Sequence, residues 1–145
     1  MIGFIWRKCP DSTNEVKKAI VKARLATNTY TLQANRGVFN QNDNTGCLLC
    51  RGGVEDITHF TTECPAFEEE RKTSLQPILD TIPYVTQDHP SIWTRDDLCY
   101  FIVDHTHPNV PFKLTEIEQE KLEYLTRTYC YKLHLKRAKL LGYRP

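Results

Sequence analysis

The 145-residue sequence predicts a mainly α fold: one small helical domain, 1–145, with a short cysteine-rich module inserted into it. Three observations carry that reading. Two long segments, 12–36 and 115–141, repeat apolar residues at helical spacing. Each opens on a Ser/Thr-x-x-Glu pattern, the signature of a helix start. Between them, Cys47, Cys50, His59 and Cys64 crowd into eighteen consecutive positions.

In the first segment, Ser12 and Glu15 form the capping box. Val16, Ala19, Ile20, Ala23, Thr27 and Tyr30 then fall on one face. Lys17 and Arg24 flank that stripe on one side, Lys18 and Lys22 on the other. The Asn- and Gly-rich stretch 35–46 reads as a turn-forming connection. The cysteine cluster spans 45–67, and an acidic middle follows over 65–104. Pro65 suits the first position of a second helix, where Glu68, Glu69 and Glu70 meet the positive end of its dipole. Pro77 is expected to end or kink that helix. Thr94 caps a short helix with Leu98, Phe101 and Ile102 on one side, and two prolines make 106–113 a linker or turn. The last helix, 115–141, is capped by Thr115 with Glu118. Leu122, Leu125, Tyr129, Leu133 and Leu140 form one stripe on it; Ile117, Tyr124, Tyr131 and Leu135 form a second. A helix apolar on two sides must pack between neighbours, which makes this one the expected centre of the core.

Composition sets the outer bounds. Forty per cent apolar and 26% charged residues are globular proportions. No run approaches the ~18 apolar residues of a membrane span, so no membrane partner is expected. The first residues lack a secretory pattern, so a reducing compartment is expected, which argues against a disulfide framework. The net charge of +1 hides a segregation. Residues 1–46 carry seven Lys/Arg against three acids, 47–104 four against eleven, and 105–145 eight against four. That pattern fits a nucleic-acid binder, and fits equally a chain whose ends pack against its middle.

The spacing Cys47-x2-Cys50-x8-His59-x4-Cys64 offers three thiolates and an imidazole. Together they fill a tetrahedral Zn²⁺ shell and leave no position for a substrate water, so one structural zinc is expected in a CCHC knuckle. Two residues between Cys47 and Cys50 let both sulfurs face one ion, and Gly52-Gly53 can supply the positive φ of such a turn. Asp56 is placed to cap a short helix presenting His59, with Glu55 as an acceptor behind the imidazole. Cys64 closes the set at the start of the next helix, where a thiolate is favoured. A Cys47–Cys50 redox pair would need a βαβ context that is absent. Simple burial of the thiols is the other reading. Four of the chain's eleven Cys and His at this spacing favour the metal.

Other candidates are weaker. His105 and His107 read as a solvated turn, and Cys9, His89 and His134 have no evident partner. Cys99 and Cys130 look like core or interface packing. No Ser-His-Asp set, phosphate-cradling Gly-rich loop or two-metal carboxylate cluster is present, so no enzyme is expected.

The stretches "ATNTYTLQANRGVFNQ" and "CLLCRGGVEDITHFTTECPAFEEER" resemble the zinc-binding segment that follows the reverse transcriptase in polyproteins of non-LTR (LINE-type) retrotransposons. The matching positions are Thr27 to Asn40, Cys47 to Cys50, Glu55 to Phe60, and Cys64 to Ala66 with Arg71. The tail "YCYKLHLKRAKLLGYRP" is similar to the end of such polyproteins. The resemblance covers most of the chain and is densest over 27–71. It implies a nucleic-acid-associated module in a nuclear or cytoplasmic, not secreted, setting, with a reverse transcriptase domain as a possible partner. It does not bring the polymerase's catalytic aspartates or an endonuclease, so Met1 is expected to open a truncated reading frame. The eight-residue gap before His59 is longer than in the retroviral nucleocapsid knuckle, whose base-binding mode is therefore not carried over.

The expected function is non-catalytic: weak, salt-sensitive binding of RNA or single-stranded DNA. Lys17, Lys18, Lys22, Arg24 and Arg36 are the expected phosphate contacts at one end, and Lys132, Lys136, Arg137 and Lys139 at the other. Tyr30, Phe39, Tyr129 and Tyr131 are candidates for stacking on bases, although Tyr30 and Tyr129 fall on stripes expected to be buried. The alternative is a zinc-braced interaction module that docks on the polymerase without binding nucleic acid itself.

Overall fold

The computed structural model describes residues 12–35, 45–81, 94–108, 110 and 114–145. Its described helices include α1 (Thr13–Ala26), α2 (Glu68–Leu79), α3 (Arg95–Val103) and α4 (Glu116–Leu141). A π-helical turn, His59–Glu63, and a 3-10 turn, Pro65–Phe67, lead into α2. Among the described residues the only extended pairing is a single antiparallel bridge between Gly46 and Val54. The fold is therefore mainly α, as the sequence predicts. No described helix is long and apolar enough to cross a membrane.

α1 starts where expected, with Ser12 Oγ accepting from the Glu15 amide at 3.2 Å. The Glu15 carboxylate is turned elsewhere, to Lys18 at 3.0 Å and Arg127 at 3.4 Å. The helix ends at Ala26 and does not run on to 36. Thr27 and Thr29 hydroxyls take the carbonyls of Ala23 and Arg24, and Asn28 enters the left-handed region at φ 58°. Clustered threonines compete for helix carbonyls in this way. Tyr30 consequently lies beyond the turn, stacked on Phe60 with ring centroids 5.5 Å apart.

Pro77 sits inside α2 without ending it, since the helix closes two residues later with the Asp80 amide on the Gln76 carbonyl. α3 opens on a full capping box, Thr94 with Asp97, and buries Phe101 and Ile102. His105 is buried with Nε2 3.5 Å from Gln119 Oε1, and His107 stacks on Tyr100 at 3.9 Å. The solvated H-x-H turn is thus replaced by two packed imidazoles.

α4 packs against α1, α2, α3 and the π-helical turn, so it is the central element. Leu122, Tyr129 and Leu133 of its first stripe are fully buried, and Tyr129 Oη donates to the Thr61 carbonyl at 2.6 Å. The second stripe is not a buried face: Ile117 is 80% exposed and Tyr124 55%. What α4 buries beside its leucines is polar. Lys22 of α1 is 1% exposed, donating to Glu123 at 2.5 Å and Thr126 at 2.8 Å. Burial of those charges is tolerable because they meet each other. Lys22 is accordingly a core cation and is withdrawn from the expected phosphate contacts. Gly142, at φ 78°, ends α4 with its amide on the Ala138 carbonyl.

Candidate metal centre

The segment before the π-helical turn folds around the four candidate ligands. Cys47 donates its amide to the Gly53 carbonyl at 2.7 Å, and Arg51 donates its own to the Cys47 carbonyl at 3.0 Å. These bonds close a tight loop over Cys47–Gly53. Its left-handed residue is Arg51, at φ 56°, and not the Gly52-Gly53 pair. Gly52 acts through its amide, which points at Cys50 Sγ at 3.3 Å. Such N–H groups aimed at sulfur favour the thiolate a metal requires.

The other two candidate ligands open and follow the π-helical turn. Asp56 Oδ1 accepts from the His59 amide at 2.8 Å and the Asp56 carbonyl accepts from Phe60 at 3.0 Å, so Asp56 caps the turn as predicted. At the far end the Cys64 amide reaches the His59 carbonyl at 2.8 Å, a span of five residues. The extra residue of this wider turn brings His59 and Cys64 to the same side.

The donor atoms of Cys47, Cys50, His59 and Cys64 all lie within 4.8 Å of one another. Cys47 Sγ and Cys64 Sγ are 3.8 Å apart, and Cys50 Sγ is 3.3 Å from His59 Nε2. Two sulfurs each ~2.3 Å from a tetrahedral ion stand about 3.8 Å from each other, so the donor set fits a four-coordinate metal. Cys47 and Cys64 are buried, His59 is 9% exposed, and Cys50 is partly covered. Burial pushes the Cys64 thiol up to about 12. Burial works the same way on Cys50, but the Gly52 amide and the neighbouring thiols outweigh it and hold that group below its ordinary value.

Glu55 is not an acceptor for His59. It is 1% exposed and receives a bidentate bond from Arg137, at 3.0 and 2.8 Å, plus the Gln33 amide at 2.9 Å. This clamp ties the ligand-bearing loop to α4, and it takes Arg137 out of the expected phosphate contacts. His134 likewise has a partner after all: its Nδ1 lies 2.6 Å from Tyr30 Oη. Sequence reasoning missed the cluster of Tyr30, Glu55, His134, Arg137 and Tyr143 because its members are far apart in the chain.

The remaining predicted cations are distributed as follows. Lys17, Arg24, Lys132 and Lys139 are exposed, with Lys132 reaching Ser74 at 3.2 Å. Lys18 is half-buried against Glu15, and Lys136 lies 3.6 Å from Glu70. Arg36, Phe39, Cys9 and His89 lie outside the described residues. Tyr30 and Tyr129 are buried and offer no face for stacking, while Tyr131 is half-buried. Cys99 and Cys130 are buried, in keeping with core packing.

Fold and site together define a mainly helical chain that carries a Cys3His group able to hold a metal ion. The chain matches no protein-family model, no curated protein and no solved structure.

Proposed function

We propose that this chain is a non-catalytic, zinc-braced module that binds RNA or single-stranded DNA weakly, of the kind found C-terminal to a retrotransposon reverse transcriptase. The observation that carries it is the convergence of three cysteines and a histidine from two turns onto one point. Thiolate and imidazole in a complete tetrahedral set are the ligands of structural zinc, and they leave no open position for catalysis. The inserted module is then the CCHC knuckle. The retrotransposon setting rests on the sequence resemblance over 27–71.

The nucleic-acid reading is supported by exposed cations at both basic ends: Lys17 and Arg24 on α1, Lys132 and Lys139 on α4. Titration of a labelled oligoribonucleotide at two salt concentrations tests it. Four phosphate contacts correspond to a slope of log K against log [salt] of about −3 for a single strand. Affinity that is absent, or constant across salt, refutes it.

A second reading is favoured by Ile117, Tyr124 and Leu135, exposed along one side of α4. A partner such as the reverse transcriptase domain would cover that strip. Ile117→Ser with Tyr124→Ser would then abolish capture of the polymerase and leave RNA binding unchanged.

A further inference from the structure

A cavity of about 540 Å³ opens where the end of α1, the last turn of α4 and the Cys47–Cys50 loop meet. Its inner wall is polar and fixed. Tyr30 Oη and His134 Nδ1 lie 2.6 Å apart, and Arg137, already clamped by Glu55, donates through Nη1 to Tyr143 Oη at 2.8 Å. That last bond anchors the Tyr143 ring at the rim, where it is 42% exposed. Across from the α4 residues the lining includes Leu48, 43% exposed, from between the first two candidate ligands.

The side-chain charge of the cavity comes from Arg24 and Arg144. Both line it, both are exposed, and neither makes an ion pair among the described residues. No Asp or Glu side chain lines the cavity, and the charge of Arg137 is neutralised by Glu55. The side chains at the opening are therefore net positive, with a pinned aromatic ring beside them and an apolar side chain in the same lining.

We propose that this cavity binds one nucleotide of a single-stranded nucleic acid, its phosphate on Arg24 and Arg144 and its base against Tyr143 and Leu48. The proposal rests on the nucleic-acid reading above and names the surface that carries it. The volume falls within the ~300–1,000 Å³ of small-ligand sites. An aromatic ring already held by its hydroxyl loses little freedom when a base stacks on it. With burial and the nearby arginines keeping His134 uncharged near neutral pH, Nδ1 accepts from Tyr30 and Nε2–H is left as a donor. Because Leu48 belongs to the ligand loop, loss of the metal should disorder one part of the cavity.

The test uses the full zinc-loaded chain and a short labelled oligouridylate carrying one 4-thiouridine for photocrosslinking. Tyr143→Ala should weaken binding about 5- to 150-fold, the range of a lost base stack, while Tyr143→Phe should lose much less. Arg24→Gln with Arg144→Gln should flatten the salt slope by roughly 0.7, one single-strand phosphate. Crosslinks should map to the peptides bearing Leu48 or Tyr143. Tyr143 and Arg144 lie beyond the last turn of α4 and are exposed, so circular dichroism should show these variants folded. Wild-type binding that survives all of these changes, with crosslinks on Lys17 or Lys139 instead, overturns the cavity and leaves the nucleic-acid reading standing. Absence of any salt-dependent binding by the wild-type chain overturns both.

Discussion

Replacing Arg137 with methionine should cost about 3–5 kcal/mol of folding stability, the usual loss when one member of a buried ion pair is removed. The geometry supports the upper part of that range. Arg137 is 4% exposed, Glu55 is 1% exposed, and two bonds of 3.0 and 2.8 Å join them in a parallel fork. Without the guanidinium, the Glu55 carboxylate keeps only the Gln33 amide among these partners. Glu55→Gln should be milder, about 1.5–3 kcal/mol, since its amide oxygen still accepts while one charge-assisted bond is lost. Glu55→Leu combined with Arg137→Met should recover much of the loss, because a buried pair replaced by apolar groups of similar size is often nearly neutral. Urea unfolding at matched metal content measures all three, provided the m-value is unchanged. An Arg137→Met variant within about 1 kcal/mol of wild type would mean the pair behaves as a solvated surface bridge, and the clamp argument would fail. A double variant no more stable than Arg137→Met alone would refute the coupling.

Lys22→Met should destabilise by about 3 kcal/mol, as Glu123 would keep only Arg127, 3.6 Å away, whereas exposed Lys17→Met should change stability by less than about 0.5 kcal/mol. Equal effects in the same unfolding assay would contradict the assignment of Lys22 to the core. His105 and His134 are held below their ordinary value near 6.5 chiefly by burial, so the unfolded chain binds more protons there. Stability should therefore be complete above pH 6.5 and fall as the pH drops from 6.5 toward the folded-state values. His134→Gln should flatten that decline at matched metal loading; a decline of unchanged steepness would argue that His134 does not titrate on unfolding.

Much of this molecule is legible locally. Ser12, Thr94 and Thr115 mark helix starts that a short window reveals, since a cap needs only its own first turn. The four candidate metal donors are legible for the same reason: they lie within one stretch, and ligand chemistry restricts their type and spacing. What the sequence hides is the use of charge at long range. Lys22 and Arg137 read as solvated cations, yet their partners Glu123 and Glu55 lie 101 and 82 positions away. Periodicity shows that α4 has two apolar stripes but carries no information on which one meets a neighbour. The polar face holding Glu123, Thr126 and Arg127 won that place because α1 supplies Lys22 to it. The end of α1 is a contest between helix carbonyls and threonine hydroxyls, settled at Asn28 by a backbone turn that propensity alone does not fix.

The central claim is that Cys47, Cys50, His59 and Cys64 hold one zinc ion that keeps the fold together. Metal analysis of the purified chain, followed by thermal melting before and after chelation, tests it most directly. The account predicts about one zinc per chain, as a closed four-ligand shell requires, and loss of the cooperative melt with the metal. Cys50→Ser and His59→Ala should lower the zinc content, and Cys99→Ser should leave it unchanged. A chain that carries no zinc, or that melts unchanged after chelation, would contradict the account.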